Sequence, residues 1–249
     1  MNSTRPETWI ILGATSSMAR AFARKVAEAG ATVILAGRDI DDMKRTAADC
    51  RARGADAAEV MKCDARRPET FAPLIARADR APGTLNAAVF IGAMPAQTEI
   101  DTDPALLRSV VTDNFTGPAE FLQRLAPLLE ERGAGTIVGV GSVAGDRGRI
   151  GNYVYGAAKA GFATHLSGLR NRLGRSGAHV LTVKPGFVDT AMTWGIEGMF
   201  LVASPEKIAD DILKAVRRRR NILYTPFFWR YIMAIIRAIP EPIFKKLSV

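Results

Sequence analysis

The sequence predicts one doubly wound α/β domain: a parallel sheet with helices on both faces, followed by an amphipathic C-terminal helical tail. Three observations carry this. Short apolar runs alternate with longer stretches that are polar on one face. The apolar runs are continuous, as in strands buried on both faces. No internal repeat, low-complexity linker or second composition regime appears before the tail, so the expected division is a domain over 1–225 and a tail over 226–249.

Taken in order, the expected strands are Trp9–Leu12, Thr32–Ala36, Ala57–Met61, Ala87–Ile91, Thr136–Val140, Val180–Val183 and Ile222–Tyr224. Each is short, apolar and mostly β-branched or small. The expected helices between them are Met18–Ala29, Asp41–Arg53, Pro68–Arg77, one long stretch from Pro104 to Glu131, and Tyr153–Gly174. Ser204 followed by Pro205 reads as a cap and first helical residue, with the helix running to Arg217–Arg220, whose charges suit its C-terminal dipole. Thr225 and Pro226 read as another start, and Pro240 as its stop.

Composition narrows the function. Two cysteines, Cys50 and Cys63, are too few for a disulfide scaffold, and two histidines, His165 and His179, make a multi-histidine zinc site improbable; no metal is expected. The net charge is +9, but from Lys214 onward nine basic residues face one acid, Glu241, for +8, leaving +1 for residues 1–213. A balanced body with a basic, apolar tail points to an anionic membrane surface rather than to nucleic acid. The first residues, MNSTRPET, lack the apolar core of a secretory signal, and no apolar run is long enough to span a bilayer, so a cytoplasmic protein is expected, peripheral at the inner membrane face if the tail binds lipid.

The chemistry-bearing residues sit at the ends of these elements. The first strand runs through Gly13, Thr15, Ser16, Ser17 and Met18 into a helix, where a phosphate-binding turn needs a tight backbone and close helix–strand packing. Alone, this is also an ordinary strand–helix turn. Tyr155 and Lys159 stand one helical turn apart, and Ser142 lies thirteen residues before the tyrosine at a strand end. Asn114 falls in the long helical stretch, Asp64 follows the third strand, Gly92 follows the fourth, and Pro185-Gly186-Phe187-Val188-Asp189-Thr190 follows the sixth.

These pieces together resemble the short-chain dehydrogenase/reductase family, whose fold is the Rossmann type, over about residues 8–225. That family's Gly-x-x-x-Gly-x-Gly is matched at Gly13 and approximated at Ser17 and Ala19, its Tyr-x-x-x-Lys at Tyr155 and Lys159, and its Pro-Gly-x-Val-x-Thr at Pro185, Gly186, Val188 and Thr190. The resemblance implies catalysis by Asn114, Ser142, Tyr155 and Lys159. It also implies nucleotide contacts from the first-turn residues and Asp64, Gly92, the Pro185–Thr190 segment, Tyr155 and Lys159. Lys159 would bind the nicotinamide ribose, and Asn114 would hold a water in a proton relay. Relatives pair the helices bearing Asn114 and Tyr155 with their symmetry mates, implying a homodimer or homotetramer. The family's Asn-Asn-Ala-Gly reads Val89-Phe90-Ile91-Gly92 here and keeps only the glycine. Gly139 and Gly141 replace bulkier residues, leaving room for a substrate or a shifted backbone.

The residue types suit hydride chemistry on a carbonyl. A tyrosine near pKa 10 is a poor acid or base at neutral pH, and a lysine at i+4 shares its face and favours the phenolate. Ser142 can hydrogen-bond the oxygen on which negative charge develops. At the end of the second strand Gly37 replaces the acid that would select NAD, and Arg38 follows, favouring NADP; with Arg38 as a plain loop residue, NAD stays open.

In the tail, Phe227, Phe228, Trp229, Tyr231, Ile232, Met233, Ile235 and Ile236 fall in one short helix, with Arg230 and Arg237 seven apart. It either lies in a membrane interface or packs on the body or another subunit. The stretches Asn152–Gly156, Ala144–Arg147, Phe228–Tyr231, Ile239-Pro240 and Ile243–Leu247 resemble the decaprenylphosphoryl ketopentose reductase branch, which implies a polyprenyl-phosphate-linked keto-sugar as substrate. Two alternatives stand beside it: a soluble reductase of small ketones, acyl thioesters or steroids, and a non-enzymatic nucleotide-binding regulator.

Overall fold

The computed structural model describes residues 6–192 and 201–247. Residues 1–5, on which the reading of the N-terminus largely rests, lie outside them, as do the last two of the tail.

Seven strands form one sheet: β1 (Glu7–Leu12), β2 (Thr32–Gly37), β3 (Ala58–Lys62), β4 (Thr84–Val89), β5 (Thr136–Val140), β6 (His179–Pro185) and β7 (Ile222–Thr225). Their order is β3-β2-β1-β4-β5-β6-β7, and every pairing is parallel. The helices are α1 (Ser17–Glu28), α2 (Ile40–Ala52), α3 (Phe71–Asp79), α4 (Gln97–Thr102), α5 (Pro104–Val111), α6 (Gly117–Arg132), α7 (Tyr153–Gly174), α8 (Pro205–Arg217), α9 (Trp229–Ala238) and α10 (Glu241–Phe244).

The continuous apolar strands do face two layers. Along β1, Trp9 and Ile11 join a core with α1, α2 and α8, while Ile10 and Leu12 join the opposite core with α3, α6 and α7. Each such side chain contributes about 1.5–3 kcal/mol when fully buried, and polar strand residues buried among them are hydrogen-bonded, Thr8 to Pro82 O and Asn86 to Thr84 O. The chain passes from β1 through β2 to β3 on one side, then crosses from β3 to β4 on the other side of β1, and the crevice beyond the carboxyl ends of β1 and β4 is where such sheets bind ligands.

Two expectations need correction. The stretch from Pro104 to Glu131 is not one helix: α5 ends at Val111, Thr112–Thr116 forms a π turn, and α6 follows. Pro118 has no N–H to donate to the carbonyl of Asn114, and Gly117 N–H bonds instead to Thr112, one residue further back. Gly139 makes no room for a substrate. A Cβ there would lie 2.3 Å from Leu166 Cδ1, so the missing side chain admits a core leucine of α7.

The tail has two faces. Trp229 and Met233 are buried against Val143, with Phe187, Tyr224, Ile232 and Ile236 packed around them. Arg147 ties the end of α9 to the body: its guanidinium donates to Ile236 O at 2.6 Å and Ile239 O at 2.7 Å, pairs with Glu241 at 2.9 Å and stacks on Phe244. The other face leaves Phe227 74%, Tyr231 63% and Ile235 67% exposed, with Arg230 and Arg237 also outward. No helix of the described residues is long and apolar enough to cross a membrane.

Candidate active site

The carboxyl ends of β4, β5 and β6 and the start of α7 enclose a cleft of about 650 Å³. Ser142, Tyr155 and Lys159 line it together, as do Met18, Gly92 and Gly141. Pro185, Gly186, Val188 and Thr190 form its far wall with Trp229. Gly13, Thr15, Ser16 and Ser17 follow β1, Arg38 follows β2 and Asp64 follows β3, so they sit along the adjoining strand ends rather than in the cleft itself.

Ser142 ends β5 in extended backbone, and its Oγ accepts from Ala144 N–H at 3.1 Å, which fixes the side chain at the head of a short 3-10 turn. Tyr155 is buried in the first turn of α7. Burial pushes its phenol above the usual value, opposed by a hydrogen bond with Ser142 and by the charge of Arg149. Arg149 thus adds a second cation beside the phenol, one that the motif reading did not single out.

Lys159 Nζ lies 5.8 Å from the centre of the Tyr155 ring. Its Nζ donates to Ile91 O at 3.1 Å and Val140 O at 3.2 Å, the ends of the two central strands. Burial brings its ammonium down to about 8. Asn114, wholly buried, donates from Nδ2 to Ala93 O at 2.7 Å and Val110 O at 2.9 Å, leaving its Oδ1 without a partner. Gly92 lies between these groups: a Cβ there would stand 2.8 Å from Asn114 Oδ1 and 3.1 Å from Lys159 Nζ. Close approach explains why the glycine stands here although its neighbours depart from the family pattern.

Supporting ties come from residues that periodicity does not single out. Arg66 donates two parallel bonds to Asp113 at 2.7 and 2.6 Å, anchoring the π turn beside Asn114 to the loop after β3. In that loop Asp64 Oδ1 accepts from Arg66 N–H at 3.0 Å. Asp146, buried, pairs with Lys184 and accepts from Tyr224 O–H at 2.8 Å. His179 Nε2 lies 3.0 Å from Arg220 O, and neither histidine lines the cleft.

A nicotinamide dinucleotide fits these residues. Gly13 takes φ +80°, and a Cβ there would press on Phe90 and Ile91 at 3.0 Å, so the turn after β1 is tight and flat. Ser16 Oγ caps α1 by accepting from Ala19 N–H at 3.2 Å, and no acid in the first turn cancels the positive helix end. Arg20 donates to Thr15 O at 3.1 Å and holds the loop. Arg38 is exposed beside it, and the orphan Oδ1 of Asn114 awaits a donor.

Residues 7–199 match the short chain dehydrogenase family. An uncharacterized oxidoreductase of Mycobacterium tuberculosis is 32% identical over 99% of both chains. The ketoacyl reductase HetN of Nostoc is 27% identical, covering 88% of this chain and 78% of its own. The fold is shared with a short-chain dehydrogenase from Sphingobium yanoikuyae, solved in complex with NADPH, at a TM-score of 0.78 and 24% identity, covering 95% of this chain and 97% of that one. With the seven-stranded parallel sheet and the convergent Ser142, Tyr155 and Lys159, the chain belongs to the short-chain dehydrogenase family of oxidoreductases.

Proposed function

We propose that this oxidoreductase reduces a keto group to an alcohol with NADPH, on a lipid-linked keto-sugar or similarly apolar substrate reached from the cytoplasmic face of a membrane. The observation that carries the chemistry is the meeting of Ser142, Tyr155 and Lys159 in one cleft. When bound, the nucleotide would supply the hydride. Ser142 donates to the substrate oxygen as negative charge grows on it, and Tyr155 gives that oxygen its proton. Asn114 and Lys159 form the inner end of the route that replaces the proton, Asn114 through its unmet acceptor and Lys159 through its ammonium. Arg38, exposed after β2 with glycine in place of an acid at position 37, supports NADP over NAD.

The membrane half rests on the outward face of α9 and the turn before it, where Phe227, Tyr231 and Ile235 lie exposed among arginines, and on Ile150, 74% exposed at the cleft rim. Trp229 links the two: a Cβ on Gly186 would fall 1.9 Å from its indole nitrogen, so the helix carrying the apolar face also walls the cleft. A homodimer or homotetramer formed through α6 and α7 belongs to the same reading. The likeness to HetN, a ketoacyl reductase, favours the second reading, a soluble ketoreductase of acyl substrates.

The test is Tyr155→Phe. Turnover is expected to fall by 10²-fold or more, roughly the contribution of a positioned proton donor, with NADPH affinity held within a few-fold. Retained reductase activity above about one per cent of the parent overturns the assignment.

A further inference from the structure

Arg149 lies in the loop between Ser142 and α7 and lines the cleft beside Tyr155. Among the described residues its guanidinium makes no hydrogen bond or ion pair, and its Nε is buried without a partner. A partly buried cation in this condition is costly unless something pairs with it. The loop's own carboxylate acts on it only through space, because the oxygens of Asp146 are bonded to Lys184 and Tyr224. The neighbouring Arg147 shows the contrast, since all its bonding goes to the α9–α10 junction. No carboxylate lines the cleft among the described residues.

A second unmet group stands three residues on. Asn152 precedes α7 as its N-cap yet makes no side-chain cap bond, and its Oδ1 is buried without a partner. Gln97 of α4 takes over that task, its Oε1 accepting from Val154 N–H at 3.2 Å. The loop thus presents a donor fork and an acceptor to the same cleft.

We infer that Arg149 seats an anionic group of the substrate, a phosphate or a carboxylate, next to the keto carbon, with Asn152 accepting from a hydroxyl of the same molecule. This deepens the reductase reading and rests on it. The planar guanidinium suits two-pronged binding of either anion. The nucleotide's own phosphates are assigned to the ends of β1 and β2, on the other side of Lys159. Burial lowers the Arg149 guanidinium, opposed by the charges of Asp146 and Tyr155.

The full chain loaded with NADP is titrated calorimetrically, below micellar concentration, with octyl phosphate, octanoate and uncharged octyl glucoside. Octyl phosphate or octanoate is expected to bind more tightly than the glucoside. Arg149→Met is expected to cost that anion roughly ten- to a hundredfold, and Arg149→Lys to lie between. NADP affinity is expected to stay within a few-fold in both. Whichever anion loses more in Arg149→Met identifies the group. Equal anion binding by the parent and Arg149→Met, or no anion binding by the parent, overturns the inference. A parallel loss of NADP affinity overturns it too, by giving the arginine to the nucleotide. If the parent takes up no NADP, the cofactor reading fails, and the same titrations on the unloaded chain still decide Arg149.

Discussion

Lys159→Met is expected to stabilise the free protein at neutral pH while abolishing its reductase activity. Lys159 is 3% exposed, and its amine has two carbonyls but, among the described residues, no carboxylate in contact. The nearest anion acting on it, Asp113, is engaged by Arg66. Burial brings its pKa from the usual 10.5 to about 8. Below the folded value both states hold the proton and stability does not change. Between the two values the unfolded chain binds a proton that the folded chain has released, so stability rises with pH. Across that window the rise is about 3 kcal/mol, at 1.36 kcal/mol per pKa unit. At neutral pH the parent bears this cost in full. Methionine removes it but leaves the carbonyls of Ile91 and Val140 without a donor, at about 1 kcal/mol each. The expected balance is a gain of about 1 kcal/mol near pH 7, turning to a loss of about 2 kcal/mol above pH 10.5. Urea unfolding of both proteins at a series of pH values measures it. Curves that stay parallel through the window would refute a burial-strained lysine, whatever their offset.

Three further outcomes follow from the remaining assignments. NADPH should bind more tightly than NADH, and Arg38→Ala should shrink the gap, since a charge-assisted pair with the ribose phosphate is worth on the order of 1.5–3 kcal/mol; equal affinity of the parent for both nucleotides refutes this. Light scattering at micromolar concentration should give a dimer or tetramer, and a monomer would remove the pairing of α6 and α7. The protein should float with anionic liposomes at low salt, and Tyr231→Ser with Ile235→Ser should abolish flotation without disturbing the melting temperature, because both side chains face outward and each contributes up to about 1.5–3 kcal/mol on burial. A parent that stays in solution at low salt makes α9 an assembly element.

Much was legible because the signals are local. Strand runs buried on both faces, the Ser204 cap with Pro205, and the i+4 spacing of Tyr155 and Lys159 depend on a few consecutive residues and on the period of the element. They determined the doubly wound sheet and the extent of α7, while the choice of Ser142, Tyr155 and Lys159 as a site came from the family resemblance. Even Pro118 announces, in retrospect, the π turn that breaks the stretch from Pro104 to Glu131, since a proline cannot close the helical bond to Asn114. Tertiary structure alone decided which charges find distant partners. Arg147 and Arg149 are two residues apart and alike in sequence. Arg147 meets carbonyls and a carboxylate 89 to 94 residues away, while Arg149 meets none among the described residues and faces the cleft. The same holds for the tail, whose periodicity shows an amphipathic helix but not which apolar stripe is covered. Trp229 and Met233 pack on Val143, and Tyr231 and Ile235 do not, because only the folded body supplies a surface at that distance.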